Sequence, residues 1–105
     1  ASRFYWALAE TLAVRARATV CCLEPPGQGL SPLRAGRDDF GYADVVDAAL
    51  PRIVAALRQA HPARPVYLMG HSLGGQLAVL ATERLGPRLA GVILVAAGTA
   101  HHRAW

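Results

Sequence analysis

The chain has 105 residues, room for one hydrophobic core and not for two domains, since domains run to roughly 100–200 residues. Apolar residues make up 53% and charged residues 17%, which excludes the low-hydrophobicity, high-charge composition of disordered chains. The net charge is +4 at pH 7 and all eleven basic residues are arginines, spread from Arg3 to Arg103 without a run; that spread describes solvated helix faces and argues against a nucleic-acid-binding stripe.

The sequence opens on Ala1 with a helical pattern almost at once, so the expectation is a piece of a longer protein. Its start, Ala1-Ser2-Arg3-Phe4-Tyr5-Trp6, lacks the basic, apolar and small-residue layout of a secretory leader, and a cytoplasmic location is expected. The longest apolar run, Leu89 to Ala97, falls far short of the ~20 residues of a spanning helix, so no membrane span is expected.

In chain order, Phe4, Leu8 and Leu12 with Trp6, Ala9 and Ala13 lie at helical spacings, predicting a helix over residues 3–16 with one broad apolar face. Thr19-Val20-Cys21-Cys22-Leu23 reads as a strand covered on both faces, stopped by Glu24-Pro25-Pro26-Gly27. Cys21 and Cys22 are adjacent, point to opposite faces of such a strand and cannot easily bridge; they read as two reduced core thiols. A Gly/Pro-rich loop follows through Arg37.

Tyr42, Val45, Val46, Ala49, Leu50, Ile53, Val54 and Leu57 trace one helical face. Pro51 falls in the middle of it, predicting either a kink near Leu50 or two abutting helices with Pro51 in the first turn of the second. Val66-Tyr67-Leu68-Met69 reads as a strand. Leu73, Leu77, Leu80, Ala81 and Leu85 mark a third helix closed by Gly86-Pro87, and Gly91 to Ala96 a third buried strand. The alternation of helix and strand predicts an α/β fold, a parallel sheet with right-handed crossovers and helices on both faces.

The chemistry is concentrated at Gly70-His71-Ser72-Leu73-Gly74-Gly75, a G-x-S-x-G motif directly after a strand and directly before a helix. Three fixed positions recur by chance; the strand–turn–helix setting is what gives the pattern meaning. Ser72 is expected in a tight, strained turn that lifts Oγ out of the sheet, with Gly70 and Gly74 keeping side chains away where strand and helix nearly touch. The N–H of Leu73 at the helix N-terminus is then an oxyanion donor. A plain Gly-rich turn holding an idle serine is the alternative. Phosphate loops fit worse: Gln76 stands where a Walker loop needs Lys, and Gly27-x-Gly29 meets Pro32 where a dinucleotide fingerprint needs its third glycine. His71 is expected on the far side of the turn from Ser72, in a packing or hydrogen-bonding role. His101 and His102 follow the last strand and are possible pocket residues at the sheet's carboxyl edge.

With these motifs in place, the chain resembles the α/β-hydrolase superfamily over essentially its whole length. Gly70 to Leu77 looks like that family's nucleophile elbow, with Gly70, His71, Gly74 and Gly75 around Ser72. Leu23-Glu24-Pro25-Pro26-Gly27-Gln28-Gly29-Leu30-Ser31 is similar to its D-x-x-G-x-G-x-S loop, with Glu24 in place of Asp. Phe4-Tyr5 and Val95-Ala96-Ala97-Gly98 to Arg103-Ala104-Trp105 resemble the ends of bacterial hydrolases of the lysophospholipase and serine-aminopeptidase-like kind.

The resemblance implies the three-layer α/β-hydrolase fold, here incomplete. It also implies a serine hydrolase that cleaves an ester, thioester or amide through an acyl-enzyme on Ser72, without metal or organic cofactor and with a small acyl substrate as partner. An acyltransferase of the same fold, and a non-catalytic fragment, are the other readings. The family's triad order is Ser, then Asp or Glu, then His, but the one carboxylate after Ser72 is Glu83, about 16 Å away along the same helix. The triad acid and base, and the second oxyanion donor, are therefore expected outside these residues. The resemblance also implies a strand between 19–23 and 66–69, which leaves the first of these without its neighbour.

Overall fold

The computed structural model describes residues 2–98; Thr99 to Trp105 lie outside the described residues, and with them His101 and His102. The chain falls into two compact units, Ala1–Phe40 and Gly41–Trp105.

In the first unit a 3₁₀ turn, Ser2–Tyr5, leads into α1, Trp6–Arg15. Arg3 stacks over the Trp6 ring at 5.8 Å, one helical turn along. Beyond Arg15 the chain runs through turns and extended segments. Residues 19–23 form no strand, which corrects the expectation: a strand exists through its ladder of hydrogen bonds, and no ladder among the described residues includes this segment. Cys21 and Cys22 are free thiols, as read, but both are exposed rather than core, because a segment outside a sheet has no sheet faces to bury.

The Gly/Pro-rich loop is nonetheless organised. The buried Ser31 hydroxyl accepts the N–H of Gly27 at 3.3 Å and of Leu33 at 3.2 Å, while the Glu24 carboxylate fills the space over Gly29 that any Cβ would occupy. Further on, the Arg37 guanidinium, 2.8 Å from Asp38 Oδ2, and the Arg34 N–H hold the Asp38 carboxyl below its usual range.

The second unit holds the core. A π-helical segment, Asp44–Ala49, runs straight into α2, Leu50–Ala60, and Leu50 N–H reaches back five residues to Val45 O. The wide turn lies just ahead of Pro51, whose missing N–H would break an ordinary ladder at this point; of the two expected forms the abutting helices are found, with Pro51 in the first turn of α2. His61 ends α2 before Pro62.

Strand β1, Tyr67–His71, pairs in parallel with β2, Gly91–Val95, and α3, Leu73–Leu85, connects them. Both strands sit within two residues of their expected positions, and α3 ends at Gly86 as anticipated. Gly86–Arg88 forms a 3₁₀ turn, and Ala90 N–H to Val66 O at 2.8 Å opens the parallel ladder.

In-register partners of a parallel pair share a face, so Leu68 and Gly70 lie with Val92 and Leu94, and Tyr67, Met69 and His71 with Gly91, Ile93 and Val95. The first face meets the helices. Val46, Leu50 and Val54 interlock with Leu77, Ala81 and Leu85, and Leu68, Val66 and Leu89 close the cluster from the sheet side. Across the outer rim of these helices Arg84 Nε pairs with Asp47 Oδ1 at 3.0 Å, an exposed contact worth at most about 1 kcal/mol. Among the described residues of this unit the helices pack on that face, although Leu94 at its end is exposed, and Tyr67, Met69, Ile93 and Val95 are exposed on the other, so β2 is less buried than expected.

Ladder pairing dictates where backbone amides are protected. Hydrogen exchange of the chain is expected to be slower at Tyr67 to His71 and Gly91 to Val95 than at Val20 to Leu23. Equally slow exchange in all three segments would show that residues 19–23 pair after all. Leu85 is fully buried at the foot of the cluster, and Leu85→Ala is expected to cost about 2–5 kcal/mol in denaturant unfolding.

Candidate functional site

At the carboxyl end of β1 the chain reverses into α3 within one residue. Ser72 carries that reversal with φ 52° and ψ −121°, a conformation that residues with a side chain rarely adopt and that costs of order 1–3 kcal/mol. Its N–H donates to Val95 O at 2.9 Å, extending the β1–β2 ladder by one rung. Its carbonyl accepts Gly75 N–H at 2.9 Å and Gln76 N–H at 3.3 Å, the first bonds of α3. Because Gln76 is the first residue able to bond four positions back, Leu73 and Gly74 have N–H groups with no acceptor inside the helix. The Ser72 side chain is exposed and its hydroxyl does not cap the helix. A hydroxyl that does not cap the helix thus stands beside N–H groups that have no intrahelical acceptor and at the positive end of a helix dipole.

Two glycines make the reversal sterically possible. A Cβ on Gly70 would fall on the backbone of Gly74 and Gly75, and one on Gly75 would collide with Ala97 Cβ. Gly74 differs from the expectation: a Cβ there meets nothing within 4 Å, so its role is not to let the strand and helix touch. The close approach is between Gly70 and the peptide joining Gly74 to Gly75.

His71, the last residue of β1, is exposed and lies by strand alternation on the Tyr67 and Met69 face. Glu83 lies on the far half of α3, beside a surface depression of about 240 Å³ that Tyr42, Val46, Asp47, Leu80 and Arg84 also line. Its nearest α3 residue, Leu80, is roughly 12 Å along the axis from Ser72, so this depression is not part of the serine turn. Among the described residues no group of three His, Cys, Asp or Glu side chains is placed to hold a metal ion.

One further contact is invisible in the sequence. Gln76 Nε2 donates to Gly98 O at 3.1 Å, joining the first turn of α3 to the segment that leaves β2. A glutamine in an exposed helical turn is unremarkable as sequence. The hint, visible only with the sheet register in hand, is the run of small residues Ala96, Ala97 and Gly98 directly after a strand.

Parallel strands joined by a helix, with a serine turn at the carboxyl edge of the sheet, define an α/β protein, and that edge is where open parallel sheets gather their ligands. The family described as alpha/beta hydrolase fold matches residues 1–105, and the chain belongs to that family. No curated protein and no solved structure matches it. No helix among the described residues is long and apolar enough to cross a membrane.

The glycines give a direct test of this turn. Gly74→Ala is expected to leave stability unchanged or raise it by up to about 1 kcal/mol, since a helical position with open space gains from the lost backbone freedom. Gly70→Ala and Gly75→Ala are each expected to cost about 1–3 kcal/mol in thermal or urea unfolding. Equal effects at all three positions would refute the close approach.

Proposed function

We propose that this chain carries the nucleophile of a serine hydrolase, with Ser72 Oγ attacking the carbonyl carbon of an ester, thioester or amide. The observation that carries the reading is the Ser72 backbone itself: a strained φ of 52° at the strand-to-helix reversal, holding an exposed hydroxyl at the N-terminus of α3. Strain of this kind persists where the surrounding structure enforces it, and it places the nucleophile apart from the sheet.

In the proposed reaction a base removes the Oγ proton as Oγ bonds to the carbonyl carbon. The electron pair of the C=O double bond moves to oxygen, where the Leu73 N–H and the helix dipole meet the developing charge. Collapse expels the alcohol, thiol or amine with that proton, leaving an acyl-enzyme on Ser72. Water then repeats the sequence and releases the acid. Leu73 is one oxyanion donor. Glu83, exposed near the far end of α3, is too distant to orient a base, so the triad acid does not come from residues 73–105.

The motif likeness to lysophospholipase and serine-aminopeptidase-like hydrolases directs a substrate screen first to lysolipid esters and short amides. Nothing in the proposed reaction calls for a metal or organic cofactor.

In the complete gene product that contains residues 1–105, a fluorophosphonate probe is expected to label Ser72, as read by peptide mapping. Labelling at another residue, or undiminished labelling in Ser72→Ala, would remove Ser72 as the nucleophile. The 105-residue chain by itself is expected to turn over p-nitrophenyl esters only residually, because loss of triad members costs about 10⁴ to 10⁶ in kcat in serine proteases. Turnover by the short chain at ordinary esterase rates, abolished by Ser72→Ala, would instead make His101 or His102 the base.

A further inference from the structure

We propose that Gln76 is a positioning residue, which holds the turn leaving β2 against the start of α3 and thereby sets the wall of the Ser72 site on the β2 side. The inference rests on the reading of Ser72 as nucleophile and adds to it a determinant of which acyl groups the site accepts.

Register places the two turns together. His71 pairs with Val95, so β1 and β2 end at the same edge, and Ser72 and Ala96 are the first residues beyond it on neighbouring strands. Both are strained: Ser72 has φ 52° and Ala96 φ 48°, each in the left-handed half of the map that residues with a Cβ seldom enter. Such a pair persists only if the segments are tied down.

Three ties are present. Ser72 N–H bonds to Val95 O at 2.9 Å, Ala97 Cβ sits in the notch left by Gly75, and Gln76 Nε2 donates to Gly98 O at 3.1 Å. The first is backbone and the second needs only small residues. The third depends on one side chain with a donor.

Gln76 N–H closes the first turn of α3 on Ser72 O at 3.3 Å, so its side-chain amide holds Gly98 O against the turn that begins at Ser72. The segment it holds, Ala96-Ala97-Gly98, carries nothing larger than a methyl group, so its backbone is the boundary there. A substituent on the carbonyl under attack has to pass between this segment and the serine. The space it finds is set by where Gly98 O is held, and hence by the Gln76 donor.

The test separates a donor from mere bulk. Gln76→Glu keeps the shape but presents only acceptors at neutral pH, and Gln76→Lys restores a donor at similar length. In the complete gene product, Gln76→Glu is expected to speed deuterium uptake about three- to tenfold in peptides covering 96–98 and 70–73, with the core of α3 unchanged. Labelling of Ser72 by alkyl fluorophosphonates is expected to change in selectivity: the ratio of second-order rates for decyl and ethyl probes shifts at least threefold in Gln76→Glu and returns towards wild type in Gln76→Lys. If Ser72 is labelled but neither uptake nor the ratio moves, the Gln76 tether is refuted and the nucleophile stands. If uptake rises while the ratio holds, Gln76 is structural only and the positioning role is refuted. If no probe labels Ser72 in the wild type, the nucleophile reading falls and this inference falls with it.

Discussion

The contact on which the second unit turns is the near-touch between Gly70 at the end of β1 and the peptide joining Gly74 to Gly75 in α3. A strand and a following helix ordinarily stand one side chain apart. Here they stand a backbone apart, because neither Gly70 nor Gly75 has a Cβ to keep them separate. That closeness requires the chain to reverse in a single residue, and the reversal is the reason Ser72 is strained. Fixing α3 so tightly at its start also sets its direction, so that Leu77, Ala81 and Leu85 fall in line against Val46, Leu50 and Val54.

Burial and strain are linked through this geometry. Left-handed backbone at Ser72 and Ala96 costs of order 1–3 kcal/mol at each. The cost is offset a few residues away, where Leu77, Ala81 and Leu85 of α3 are buried against Val46, Leu50 and Val54, at roughly 25 cal/mol for each Å² of apolar surface removed from water. Chemistry and stability thus divide the helix between them. Its first turn keeps exposed donors and a hydroxyl, and its later turns carry the packing. Glu83 and Arg84, on the outer face of those later turns, belong to the packing half, and the Arg84–Asp47 pair lies at its rim.

Much of this was legible in the sequence because it depends on local rules. Helical periodicity located the helical run from Val45 through α2 and, separately, α3, and Pro51 marked where an ordinary helix has to give way, although not that the answer would be a π-helical turn. The G-x-S-x-G spacing placed the serine turn within its strand and helix. What failed was non-local. Residues 19–23 have the apolar, β-prone composition of a strand, but composition cannot supply a neighbour, and without ladder bonds neither the strand nor the burial of Cys21 and Cys22 follows. The role of Gly74 was misread for a similar reason. Spacing shows that glycines cluster, and only the three-dimensional approach of Gly70 shows which of them is crowded.

The same distinction bears on how a site is assembled in this fold. Gly70, Ser72 and Gly75 lie within six consecutive residues, and their arrangement is a property of that segment. The other half of the turn, Val95 to Gly98, is more than twenty residues along the chain and reaches Ser72 only through the parallel register His71 to Val95. A shift of that register by one residue would carry Ala97 out of the Gly75 notch and Gly98 O away from Gln76, while leaving the G-x-S-x-G segment intact. The motif can therefore specify the conformation of Ser72 on its own, but what stands around Ser72 is specified by the sheet. Two chains with identical motifs are free to differ in the groups they admit, because the residues that decide it are brought alongside by strand pairing and not by sequence proximity.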